Sequence, residues 1–79
     1  MNIAAFTARH AADAEAQARK WRQEARSDRQ KADAALRFGD REGHARWLRQ
    51  AAQCDQWARE SQRAADDFAA LRGRVEVLA

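Results

Sequence analysis

Two histidines, one cysteine and a scatter of carboxylates are the groups in this 79-residue chain that could serve as ligands, bases or nucleophiles. A metal site or a catalytic pair needs several of them to converge, as two cysteines at short spacing or an HExxH helix would arrange. His10 and His44 fall near opposite ends of the first helical segment and its turn, so one hairpin cannot bring them together. His44 reads as a first-turn residue packing near Ala35. Cys54 has no second cysteine, and it lies on a stripe of small residues, where a thiol acts as a small core group and not as a nucleophile. Asp28 interrupts that kind of stripe on the other helix. It pairs with an arginine such as Arg49, fixes the helix register, or rotates to the rim. The sequence therefore predicts no catalytic residue, metal, cofactor or small-molecule substrate.

Charge and apolar contact remain as usable chemistry. Lys and Arg outnumber Asp and Glu by 15 to 12. All of the excess falls before Phe38, where eight cations face five acids; from Asp40 to Arg72 the count is six against six. In ARKWRQEARSDRQK, Arg19, Arg22, Arg26 and Arg29 project along one helical stripe that could grip phosphates or an acidic protein surface. The competing reading is a solvated face laced by Lys20 with Glu24, by Arg29 with Asp33, and by Asp55 across the hairpin. No helix-turn-helix, zinc or RNP signature accompanies the arginines, and a nucleic-acid mimic would need an acidic surface.

The elements that carry these residues follow from composition. Proline is absent and the three glycines sit near apparent element ends, which is helix composition. The spacing predicts a helix over about 2–38, a turn at 39–40 with Gly39 as the left-handed terminating residue and Asp40 as the next N-cap, and a second helix over about 41–72. Gly73 then frees a short tail, 73–79, that frays or docks. So short a connection returns the helices antiparallel, making an all-α, single-domain αα-hairpin over 1–79. One cysteine permits no internal disulfide and fits a reducing, cytoplasmic setting. No apolar run approaches a membrane span, and Asp13 and Glu15 argue against a leader peptide.

Small residues mark the seam. Ala4, Ala11, Ala18, Ala25 and Ala32 recur every seven positions, with Thr7, Ala14, Trp21, Asp28 and Ala35 between them, a coiled-coil type of 3-4 stripe. The second helix answers with Trp47, Ala51, Cys54, Ala58, Ser61, Ala65, Phe68, Arg72 and Val75. Folding about Gly39 and Asp40 sets Ala11 against Phe68, Trp21 against Ala58, Ala25 against Cys54 and Ala32 against Trp47. A shifted register pairing alanine with alanine is also arithmetically possible.

An alanine seam is a thin core. Each buried methyl contributes about 0.8 kcal/mol, whereas ordering a residue costs about 1.5 kcal/mol. A lone hairpin of this kind is marginal and calls for a second layer of protein. At 100° per residue, Trp57, Ala64 and Leu71 flank the second seam beside Phe68 and Val75, while Ile3, Phe6 and His10 flank the first beside Trp21. These flanks open to one side and form an apolar face, richest near the termini, on the side away from the arginines. Either they widen the intramolecular core or they form an interface. The expected use is homodimerisation into a four-helix arrangement, or capture of a protein target carrying an acidic patch.

In size, Ala/Arg-rich composition and hairpin build, the whole chain resembles the small proteins that bacteriophages encode to disable host machinery, including some anti-CRISPRs and quorum-sensing anti-activators. That resemblance implies stoichiometric binding that occludes a host protein's surface, with no chemistry performed. The alternatives are a small basic nucleic-acid-binding protein and a structural subunit of a larger helical assembly.

Overall fold

A computed structural model describes residues 2–78 of the chain, with the side chains of Val75, Glu76 and Leu78 outside the described set. It contains two helices, α1 (Ile3–Arg37) and α2 (Arg41–Leu78), packed against each other as an antiparallel hairpin 61 Å long and 14 by 12 Å across. No strand occurs among the described residues.

Local chemistry sets the ends. Asn2 caps α1, its side-chain oxygen accepting from the Ala4 and Ala5 amides at 3.0 and 3.4 Å. At the other end Gly39 takes φ 78°, the left-handed region that residues with a Cβ rarely enter. That conformation lets the Gly39 amide donate to the Leu36 carbonyl at 3.0 Å and the Asp40 amide donate to the Ala35 carbonyl at 2.8 Å. The pair of bonds is a Schellman closure, which satisfies carbonyls the helix end would otherwise strand. Asp40 then caps α2 through the Gly43 amide, 2.8 Å from its Oδ1. The turn read from LRFGD thus forms as expected.

The second helix does not stop at Arg72. It runs through Gly73 to Leu78, so the 73–79 segment expected as a tail is helical as far as it is described. A glycine ends a helix when it turns left-handed and closes such bonds; only Gly39 among the glycines has positive φ. Gly73 merely weakens the helix locally, by about 1 kcal/mol relative to alanine.

The core is the predicted seam of small residues. Ala18, Ala25, Ala32, Ala51, Cys54, Ala58 and Ala65 are buried, and Thr7 is the largest side chain fully enclosed. Thr7 tolerates burial because its hydroxyl is shared between the Ile3 and Ala4 carbonyls at 3.0 Å each. Arg72, assigned to the seam by its spacing, is exposed instead. Cross-hairpin contacts place His10 against Phe68, Trp21 against Trp57 and Asp28 against Cys54. These contacts bracket the register expected from folding about Gly39 and Asp40.

Candidate protein-binding surfaces

Both histidines, Asp28 and Cys54 are held by their own neighbours. His10 lies between Phe6 and Phe68, with ring centroids 4.1 and 5.3 Å away. His44 reaches across the turn, its Nδ1–H donating to the Ala32 carbonyl at 2.9 Å, so it ties α2 to α1 one turn from the Ala35 contact expected for it. Asp28 remains in the seam, 2% exposed, and accepts from the Cys54 thiol at 3.6 Å. It therefore neither pairs with Arg49 nor rotates to the rim. Burial, and then the adjacent Asp28 carboxylate, pushes the Cys54 thiol above its ordinary range. A thiol held protonated is a poor nucleophile. Among the described residues, no group of three or more His, Cys, Asp or Glu is placed to hold a metal ion.

One long side of the hairpin carries the aromatic residues. The Trp21 and Trp57 rings meet with centroids 4.6 Å apart and planes tilted by 49°, and the Phe6, His10 and Phe68 rings continue the row toward the termini. The two flanks counted from helical spacing thus do open to the same side. Trp21, Ala64 and Phe68 are half-buried, whereas Ile3 is 59%, Phe6 44%, Trp57 40% and Leu71 41% exposed. Val75, assigned to the same face, has its side chain outside the described residues. Lysines rim the row: Lys20 Nζ lies 5.7 Å from the Trp21 ring and Lys31 Nζ 4.7 Å from the Trp47 ring. Lys20 thus meets a ring in place of Glu24.

The opposite side carries the arginines, in two roles. Arg29 pairs with Asp55 at 2.8 Å and Arg22 donates to Gln62 at 3.4 Å, both across the hairpin. They stitch the helices together, and Arg29 takes Asp55 where Asp33 was the local candidate. Arg19 and Arg26 are exposed and have no ionic partner among the described residues. Arg59, one of the balanced charges of α2 and no part of the expected stripe, joins Arg22, Asp55 and Gln62 around a shallow groove floored by Ala58. Only the cross-hairpin geometry could have found it, since Arg59 lies on a helix without excess charge.

A further feature escaped the pattern reading. Phe38 is 89% exposed at the tip of the turn, with Leu36 and Leu48 also exposed on the adjoining helix ends. Spacing sets Phe38 at the end of the first helix but on neither stripe, whereas the helix ends at Arg37 and Phe38 is its C-cap. No helix among the described residues is long and apolar enough to cross a membrane. Compared with protein-family models, with curated proteins and with solved structures, the chain matches none of them.

Proposed function

We propose that this protein is a non-enzymatic binding protein that acts by covering the surface of another protein. One observation carries the reading: no Ile, Leu, Val, Phe or Trp among the described side chains is buried, while the seam is closed by alanines with Cys54, Thr7 and Asp28. Large apolar side chains left outside a folded core, and gathered as an aromatic row, are what protein interfaces use as anchors. Trp57 and Phe6 are the anchors here, with Ile3, Trp21, Ala64, Phe68 and Leu71 around them. The row serves self-association into a four-helix arrangement or capture of a target. Arg19 and Arg26, on the other side, add contacts to an acidic patch on the bound protein.

Inhibition by occlusion, in a cytoplasmic setting, is the activity that fits such a binder, and it is the activity implied by the resemblance to phage-encoded inhibitors. The engaged state of His10, His44 and Cys54 supports a protein whose titratable groups maintain its shape. The test is affinity purification with mass spectrometry, comparing the native chain with Trp57→Ala and with Arg19→Glu/Arg26→Glu. The reading predicts a stoichiometric partner that both variants lose while keeping their helicity. A chain that retains no partner beyond itself would overturn it. A partner that is nucleic acid, released by salt with a steep dependence, would favour the alternative reading instead.

A further inference from the structure

We infer that the aromatic side is covered by a second copy of this chain, related by a twofold axis running along the hairpin; the inference rests on the reading of that side as a protein-binding surface and names its occupant. A compact monomer of 9.0 kDa exposes about 4,850 Å² by the usual scaling with mass, whereas this chain exposes 6011 Å². The excess, roughly 1,150 Å², exceeds the roughly 800 Å² that each partner contributes to a standard stable interface. A face of the hairpin's own length and width, 61 by 14 Å, has the same size, about 850 Å².

A hairpin with no large side chain buried has a thin core of its own, and a second layer adds the apolar burial it lacks. The partner present whenever the chain is present, and at matched concentration, is another copy.

The direction of the axis follows from where the charges lie. Aromatic and aliphatic residues crowd the terminal end of the row, and Lys31 stands over Trp47 toward the turn. A copy laid in the reverse direction would press Lys31 and its neighbours onto Phe6, Phe68 and Leu71, taking an ammonium out of water without a partner. A copy laid in the same direction sets apolar end on apolar end and keeps Lys31 at the turn end, level with the kind of ring it already lies against. Each helix then has antiparallel neighbours, as in an up-down four-helix bundle. The two arginine sides face outward on opposite surfaces, so the dimer offers two equal basic stripes.

Sedimentation equilibrium and spin-label distances test this on the full chain. The native protein is expected at twice 9.0 kDa, and Trp57→Ala is expected to weaken the dimer by about 30-fold, the effect of losing an interface anchor. Arg19→Glu, on the outward side, leaves the mass unchanged. Labels on Phe38→Cys, with Cys54→Ser removing the native thiol, are expected within about 25 Å of each other, since four-helix neighbours pack 8–10 Å apart. A separation near the hairpin length of 61 Å would reject the shared direction. A fully helical 9.0 kDa monomer, or a dimer indifferent to Trp57→Ala, would reject the second copy. In the monomer case target capture by the open row still stands; a dimer that captures nothing would sink the function and leave this inference intact.

Discussion

Gly43→Ala is the substitution whose outcome the turn geometry constrains most closely. In a helix interior alanine is favoured over glycine by about 1 kcal/mol. At position 43, however, an added Cβ would collide with the Asp40 carboxylate, the same group that caps α2 by accepting from the Gly43 amide. The carboxylate can swing away, but it then gives up the cap, which contributes about 1 kcal/mol. The two effects are opposed and similar in size, so Gly43→Ala alone is expected to change stability by less than about 0.5 kcal/mol. Asp40→Ala removes the cap and the obstacle together. In that background Gly43→Ala should recover the full propensity gain of about 1 kcal/mol, a coupling of comparable size in a double-mutant cycle. Urea unfolding of the four proteins, followed by far-ultraviolet circular dichroism at one fixed chain concentration, measures it. Strict additivity, with Gly43→Ala stabilising both backgrounds equally, would refute the claim that Asp40 holds the amide of residue 43.

Three further perturbations report on other parts of the account. Gly39→Ala meets no neighbouring atom, so its cost is the left-handed backbone alone, about 1–2 kcal/mol in the same assay. Because the Cys54 thiol is pushed up by burial and by Asp28, its contribution to stability is complete below the unfolded thiol's pKa, about 8.5. It then shrinks as pH rises toward the higher folded value. Cys54→Ser keeps a donor for Asp28 and should abolish that part of the alkaline loss, as pH-dependent urea midpoints would show. Arg29→Ala breaks a pair whose side chains remain 49% and 35% exposed, so its effect on stability should stay within about 1 kcal/mol and diminish in high salt.

The turn and the seam were legible in the sequence because each has an unambiguous chemical signal. Gly39 followed by Asp40 specifies a left-handed close and a new cap, and alanines every seven positions can bury only in an interhelical groove. Gly73 misled, because a glycine's type does not reveal its φ. Asp28 was recognised as an exception but its partner was not, since a thiol across the hairpin becomes its donor only once register and side-chain direction are fixed. Helical spacing sets Arg19, Arg22, Arg26 and Arg29 on one stripe, but their division into stitching and outward members depends on what α2 places opposite. Spacing makes Phe38 the last residue of the first helix, on neither stripe; its exposure at the tip follows only once α1 is seen to end at Arg37.

The central claim, that a second protein layer completes this hairpin, is tested most directly by thermal unfolding at different chain concentrations. If two chains unfold together, a hundredfold dilution withdraws about 2.7 kcal/mol of association free energy. For a unit of two 79-residue chains, that lowers the midpoint by about 5–10 °C. Trp57→Ala should unfold lower still at every concentration. A midpoint that is high and independent of concentration, in both the native chain and Trp57→Ala, would mean that the alanine seam suffices alone, and would contradict the account.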